Sequence, residues 1–364
     1  MSPKASESEE DVMWSKRPEW QDVEPVPQDD APNALVPIAY HEYYRDAMDM
    51  FRALVAKQEK SQRTLDLTKE IIQMNPGHYT VWKYRADTLL QMQANLSEEL
   101  DLLDQLVKHH LKSYQVWQHR RTIVLALNDP SRELDFTAKA LALDAKNYHT
   151  WAYRQWVLMH FWPAPASTAA ATAQSETRLP AAREIWDGEI AYADKLLQED
   201  LRNNSAWNHR FFVAFESGMG GDCAEREIRY AKEKLAISPN NPSAWNYLRG
   251  ILKRLRRPLS TYSEFVKPLA LNTPESVPAG DPPISERAEL PAWLAIEYLA
   301  DAAAQDAAAL SAEDAETRPR RAEKVKEAAD LFRSLEEFDP IRRFYYEFCA
   351  KRAESLLQAV PTAA

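Results

Sequence analysis

Glycine is scarce in this chain: seven among 364 residues, too few for a rich set of tight turns or for a loop that cradles phosphate. Cysteine is scarcer still. Cys223 and Cys349 lie far apart, and neither has a CxxC companion. That excludes a disulfide framework and a cysteine-rich zinc site, and it fits a reducing compartment. No apolar run approaches the ~18 residues of a membrane span, and the opening MSPKASESEEDV holds no signal-peptide apolar stretch. The expectation is a cytoplasmic protein without membrane insertion. Alternating runs of Val, Ile and Thr are nearly missing, which argues against sheet. A basic surplus is missing too. The net charge is −10 and the pI about 5.4, so nucleic acid is excluded as a partner of the chain as a whole, while a small local anion site stays open.

What is present instead is tryptophan, 11 in all, among many Ala, Leu, Glu, Arg and Lys residues that favour helices. Five segments align: HYTVWKYRADTLL from His78, SYQVWQHRRTIVL from Ser113, NYHTWAYRQWVLM from Asn147, NNSAWNHRFFVAF from Asn203 and NPSAWNYLRGILK from Asn241. Their tryptophans, Trp82, Trp117, Trp151, Trp207 and Trp245, are spaced by 35, 34, 56 and 38 residues. The long gap holds the low-complexity stretch Pro163–Pro180, read as an unstructured insertion between helices. A second helical pattern precedes each motif, as where SREL leads into DFTAKALALD and DGEI into AYADKLLQED. Each unit is then a helical hairpin that cannot bury both faces alone, so neighbours stack. The fold class is all-α, a right-handed superhelix of stacked hairpins like a TPR solenoid. It occupies 41–364, with a Pro-rich interruption at 268–291 and a worn sixth copy at DPIRRFYYEF. Residues 1–40, with six prolines, read as a largely extended tail; RPEWQDVEPVPQDD suggests a piece that packs once a partner is present.

Three residues after each of the first four tryptophans comes an arginine: Arg85, Arg120, Arg154 and Arg210. A stacking device is needed in every repeat and a catalytic residue only once, so Trp fills the groove between hairpins and Arg bridges to the next one. Five residues before each Trp stand Gly77, Lys112, Lys146, Arg202 and Asn240. Three cations at helix starts are unfavourable for helix stability, because that end is already partly positive. Stacking brings the turns to one rim, where helix N-termini and added cations suit a phosphate or carboxylate, or pair with an acidic partner. Tyr79, Tyr114 and Tyr148 line the same rim. No catalytic constellation is complete. His78, His119, His149 and His209 have no HxxxH or HExxH pairing, and no GxSxG, P-loop or dinucleotide fingerprint occurs.

The W-x-x-R units, with NYHTWAYRQWV and NNSAWNHRFFV, resemble the repeats of protein prenyltransferase α subunits. WQDVEPVPQDDAPNALVPIAY and DAKNYHTWAYRQWV resemble the branch shared by farnesyltransferase and type I geranylgeranyltransferase. The resemblance implies a helical crescent around a β subunit that carries zinc and most of the isoprenoid pocket. This chain binds no metal itself; magnesium accompanying the diphosphate is compatible with it. The implied partners are the farnesyltransferase β subunit and the type I geranylgeranyltransferase β subunit, with an isoprenoid diphosphate and CaaX-terminated proteins as substrates. The family's KNYQVW reads KSYQVW here, so Lys112 would stabilise charge on the leaving diphosphate. Tyr114 would sit near that diphosphate and Gln115 would donate to the peptide carboxylate. Asn147, Tyr148 and His149 match the family's NYH and would complete the rim, with Lys146 a second cation. Arg202, Asn203 and Asn204 would extend it toward the β subunit. The alternatives are a Rab-type geranylgeranyltransferase α subunit and a non-catalytic TPR-like scaffold.

Overall fold

The structure, a computed structural model, describes residues 12–30, 35–163, 173–217, 223–311 and 314–357, with backbone alone for 173–181. Among the described residues there are fifteen α-helices, several short 3-10 turns and no strand. The chain forms two compact units, Met1–Phe161 and Trp162–Ala364. The first holds α1 (Glu42–Ala56), α2 (Gln62–Met74), α3 (Tyr79–Gln91), α4 (Leu96–His110), α5 (Tyr114–Leu127), α6 (Glu133–Leu143) and α7 (Tyr148–Phe161). The second holds α8 (Ala173–Glu199), α9 (Asn204–Glu216), α10 (Cys223–Ile237), α11 (Pro242–Leu255), α12 (Ser263–Leu271), α13 (Trp293–Ala309), α14 (Thr317–Phe338) and α15 (Arg343–Ser355). Successive pairs from α2–α3 to α14–α15 are hairpins; in the first unit α3 packs on α5 and α5 on α7.

The helices start where capping chemistry allows. Ser61 accepts from the Thr64 amide ahead of α2, and Asn95, Asn203 and Asn241 cap α4, α9 and α11 in the same way. In α4 the acidic Glu98 and Glu99 lie in the first turn and Lys108, His109 and His110 in the last, both favourable to the helix dipole.

Each repeat tryptophan is buried, and its indole N–H donates to the carbonyl six residues before it. The five acceptors are Pro76, Leu111, Ala145, Leu201 and Pro239, at 2.7–3.0 Å. One side chain thus fills the groove and ties the hairpin turn to its second helix, without leaving a buried donor unpaired. The arginine bridges as expected. Arg85 donates to Glu99 of the next hairpin (2.8 Å from Nε) and to Leu65 O of its own (2.6 Å). Arg120 grips Glu133 through Nε and Nη2 at 2.7 and 2.8 Å, and Arg210 grips Glu227 at 2.7 Å.

These glutamates have a second partner, which makes each pair a relay. The residue two after the tryptophan meets the glutamate 20 positions before it: His119 with Glu99 (2.7 Å), Tyr153 with Glu133 (2.7 Å), His209 with Glu189 (2.8 Å) and Tyr247 with Glu227 (2.7 Å). Burial pushes the Glu99 carboxyl up, but hydrogen bonds from His119 and Arg85 outweigh it and hold it at about 2. A depressed carboxylate contributes stability that is present above its unfolded value, near 4.5, and lost as pH falls through about 2. Between pH 5 and pH 2 the native chain is therefore expected to lose about 3 kcal/mol more than Glu99→Gln. Urea midpoints at stepped pH measure this, and parallel acid profiles would contradict it.

Several sequence expectations change. The Pro-rich N-terminal piece packs against α1 and α2 of its own chain. Trp14, Trp20 and Val23 are buried, the Arg63 guanidinium spans both Asp22 oxygens at 2.7 and 2.9 Å, and Val26 N–H donates to Asp49 O. Proline suppresses regular structure here, but two tryptophans supply enough apolar area to anchor the segment. The insertion is shorter than read from Pro163–Pro180. Residues 164–172 lie outside the described residues, and from Ala173 the backbone is already in α8. DGEI does not begin that helix, because Gly188 lies inside it. DPIRRFYYEF belongs to the seventh hairpin, not the sixth, since α12 and α13 form one the sequence did not disclose. The Pro-rich interruption begins after Leu271, with Pro268 inside α12.

Candidate functional site

The rim cations of the first unit stand where helices begin. Lys112 immediately precedes the N-cap of α5; it is exposed, and among the described residues no hydrogen bond or ion pair engages its ammonium. Tyr114 and Gln115 are the first two residues of α5. Tyr114 is 69% exposed, a tyrosine held in water by its position in the first turn. Its ring meets the edge of His149 from α7, with centroids 4.3 Å apart at 85°. Tyr148, also exposed, meets His149 at 5.6 Å and 77°. The imidazole is therefore flanked by two phenols, one from each helix start. Burial depresses its pKa below the ordinary histidine value, so near neutral pH it is the uncharged ring with a single N–H donor.

The turns that carry these groups are stapled together. Pro76 O accepts from the Trp82 indole at 2.9 Å and from Ser113 Oγ, one hairpin later, at 3.4 Å. In the second unit Leu201 O takes the Trp207 indole and Asn241 Nδ2, both at 2.8 Å. Ser113 Oγ also lies 3.2 Å from Gln115 Oε1. Turned this way, Ser113 makes no side-chain cap on α5, unlike Asn203 and Asn241 at the same place in their repeats. Ser113→Asn is expected to restore the cap while its Nδ2 keeps the tie to Pro76 O, raising stability by about 0.5–1 kcal/mol. A urea midpoint that falls instead would show that the Ser113–Gln115 contact matters more.

Lys146 is exposed next to the start of α7, close in sequence to Tyr148 and His149. Asn147 does not present its side chain to the rim. It is 3% exposed, its Oδ1 accepts from Thr150 N and Oγ1 at 3.0 and 3.1 Å, and its Nδ2 lies 3.3 Å from Asp144. Asn203 is likewise 1% exposed and caps α9 through Ser205 N and Ala206 N. Both asparagine side chains shape the turns ahead of their helices. Arg202 and Asn204 are exposed on either side of Asn203, in the second unit.

Sequence reasoning missed a groove. Between α3 and α5 a hollow of about 490 Å³ runs from Tyr79, Tyr114 and Gln115 to Lys83, Asp87 and Gln118. Tyr79, Lys83 and Asp87 of α3 and Tyr114, Gln118 and Thr122 of α5 stand three before, one after and five after Trp82 and Trp117, so the repeat alignment held the signal. A larger hollow of about 800 Å³, beside Met13, Tyr40, His41, Tyr43, Tyr44 and Met74, has no lysine or arginine among its described lining residues. Among the described residues no group of three or more His, Cys, Asp or Glu side chains is placed to hold a metal ion, and no helix is long and apolar enough to cross a membrane.

The family described as protein prenyltransferase alpha subunit repeat matches residues 61–92, 96–127, 130–161, 186–216 and 224–255. These intervals contain the five tryptophan motifs. A protein farnesyltransferase/geranylgeranyltransferase type-1 subunit alpha from Dictyostelium discoideum is 41% identical over 261 residues, covering 68% of this chain and 74% of its own. A solved structure of Candida albicans protein geranylgeranyltransferase-I complexed with GGPP matches with a TM-score of 0.70 at 27% identity, over 92% of this chain and 98% of that one. A geranylgeranyl transferase type-2 subunit alpha from Mus musculus is more distant, 29% identical over 54% of this chain and 35% of its own length.

Proposed function

The chain belongs to the protein farnesyltransferase/geranylgeranyltransferase type-1 α-subunit family, and we propose that its rim at α5 and α7 holds the diphosphate of an isoprenoid donor while a partner subunit performs the thiol chemistry. The observation that carries this reading is the grouping of an unengaged Lys112 with the Tyr114–His149–Tyr148 cluster at two adjacent helix N-termini. Prenyl transfer forms a bond from a cysteine sulfur to the isoprenoid C1 and breaks the bond from C1 to the diphosphate oxygen. Negative charge grows on that oxygen. Lys112 supplies a full positive charge, α5 and α7 present the positive ends of their dipoles, and the Tyr114, Tyr148 and neutral His149 groups can each donate one hydrogen bond. Gln115 donates to the carboxylate at the end of the CaaX peptide, which fixes the distance from that end to the reacting sulfur.

Zinc in the partner subunit supplies thiolate activation by coordination; the described residues of this chain include no cluster to hold it. The partners are a farnesyltransferase β subunit and a type I geranylgeranyltransferase β subunit, and the site of action is the cytoplasm. Lys146 assists as a second cation, and Arg202 and Asn204 face the β subunit. The test is to purify the tagged chain from its own cells. Recovery of a zinc-bearing companion that transfers farnesyl or geranylgeranyl to a CaaX peptide is expected. A Rab-type β companion would move the chain to the other branch, and recovery of neither zinc nor transfer would leave a helical scaffold.

A further inference from the structure

In a chain of net charge −10, the run KRLRR at residues 253–257 places four cations in five positions, more than any other window of that length. Lys253, Arg256 and Arg257, with Arg249 one turn earlier in α11, line a hollow of about 630 Å³ in the second unit. Pro258 and Leu259 continue this wall, and Gln305, Asp306 and Ala309 of α13 form the other. Arg254 turns elsewhere, to Phe215 O at 3.3 Å and Glu216 at 3.6 Å. The two walls are tied together. Leu259 N–H donates to Gln305 Oε1 and Ser260 Oγ to Asp306 Oδ1, both at 2.8 Å, and the Tyr298 hydroxyl donates to Leu259 O at 2.7 Å.

Two of the four cations are already matched. Arg249 meets Asp301 at 2.8 Å, and Arg257 meets Glu225 at 2.5 Å and the Tyr262 hydroxyl at 3.1 Å. Lys253 and Arg256 are exposed, and among the described residues no hydrogen bond or ion pair engages either side-chain charge. Asp306, the one acid in the described lining, already accepts from Ser260. A cation in the last turn of a helix complements its dipole, which accounts for Lys253 and Arg254. It does not account for Arg256, which holds the left-handed C-cap conformation, φ 54°, where glycine or asparagine is preferred. The other non-glycine residues with positive φ are all side-chain amides, Gln58, Gln93, Asn128 and Asn272. An arginine at such a backbone position, its guanidinium unengaged, is not placed there by local stability.

We propose that this hollow binds a small polyphosphorylated ligand, two or more phosphate groups on a compact scaffold, with Lys253 and Arg256 as its main contacts. An arginine fork matches phosphate oxygens two at a time, and a lysine adds a mobile point charge. Arg249 and Arg257 stand behind them as supporting charge, while Pro258, Leu259 and Ala309 give the scaffold an apolar surface to rest on. A free inositol polyphosphate and a phosphoinositide headgroup both carry that chemistry.

The experiment titrates the full chain, purified with any companion it recovers, with inositol hexakisphosphate in a calorimeter. One ligand per chain is expected to bind, with an affinity that falls as salt rises. Lys253→Gln/Arg256→Asn breaks no observed side-chain contact and puts a preferred residue at the C-cap, so its urea midpoint is expected to hold. Its affinity is expected to fall about 10- to 100-fold. Lys139→Gln/Lys195→Gln removes the same charge from two surface pairs and is expected to leave the affinity unchanged. Vesicles containing phosphatidylinositol bisphosphate separate the two sources. Capture that soluble ligand displaces and the 253/256 variant loses supports a lipid headgroup, and soluble binding without capture supports a free ligand. Absence of saturable binding, or equal weakening in both variants, overturns the proposal and leaves a diffuse surface charge. Tighter binding of an RNA oligonucleotide than of inositol hexakisphosphate, lost in the 253/256 variant, overturns it in favour of a nucleic-acid contact.

Discussion

Lys112→Ala is expected to slow single-turnover prenyl transfer by about 10²- to 10³-fold while leaving the heterodimer and its affinity for peptide intact. The magnitude is that of removing one preorganised donor from a site where charge develops in the transition state. The selectivity follows from the structure. Lys112 is exposed and among the described residues no hydrogen bond or ion pair engages its ammonium, so its removal leaves no buried group unpaired. Lys112→Arg keeps the charge but replaces a compact ammonium by a broad planar fork, and an intermediate rate is expected. Lys139→Ala, which removes a surface lysine paired with Asp135, serves as the control and is expected to be silent. A raised KM for the isoprenoid with an unchanged single-turnover rate would assign Lys112 to ground-state binding. A normal rate and a normal KM would remove it from the site.

The largest stability effect is expected inside the first unit, at the relay centred on Glu133. Arg120 and Glu133 are both wholly buried, and Glu133 takes two bonds from Arg120 and one from the Tyr153 hydroxyl. Burial, reinforced by the neighbouring Glu133 charge, pushes the Tyr153 phenol well above its ordinary value, so it stays protonated and donates. Glu133→Ala leaves Arg120 with only the half-exposed Asp104 and leaves Tyr153 without an acceptor. A loss of about 3–5 kcal/mol is expected, the range for removing one member of a buried ion pair. Arg333→Ala, at a half-exposed pair with Glu354, is expected to cost under about 1 kcal/mol. The triple replacement Arg120→Met/Glu133→Leu/Tyr153→Phe removes all the polar groups together and is expected to recover most of the loss. Urea midpoints at constant slope measure all three. A loss below about 1 kcal/mol for Glu133→Ala would sink the relay as a stabilising device.

The parts of this architecture that repeat were legible in the sequence, because periodicity multiplies a weak signal. Five Trp motifs located the second helix of five hairpins, and the cations before three of them, Lys112, Lys146 and Arg202, stand just ahead of α5, α7 and α9. The relay was not read, although its mark was there: a glutamate stands 20 residues before His119, Tyr153, His209 and Tyr247. It links two helices, and an alignment anchored on one helix motif does not connect them. The turn-shaping roles of Asn147 and Asn203 were not read, for a chemical reason. An asparagine before a helix has the same atoms whether it binds a ligand or caps its own backbone, and only burial separates the two. Gly188 is an ordinary helical residue inside α8, since the surrounding helix formers outweigh about 1 kcal/mol of glycine penalty. The sixth hairpin escaped because its helices hold no Trp–x–x–Arg unit, and the seventh was seen only in part, as the worn copy DPIRRFYYEF.

The relay also sets how such an array can change length in evolution. Each bond set divides at the hairpin boundary: Arg85 and Arg120 lie in one hairpin, and the Glu–His or Glu–Tyr pairs that receive them, Glu99–His119 and Glu133–Tyr153, lie in the next. Duplicating a segment of 34 or 35 residues copies one donor and one acceptor together, so the new copy fits its neighbours on both sides. Duplicating a single helix strands an arginine or a glutamate in the interior. Growth and loss by whole hairpins are therefore nearly neutral, and smaller steps are selected against. Insertions that survive should collect in the turns.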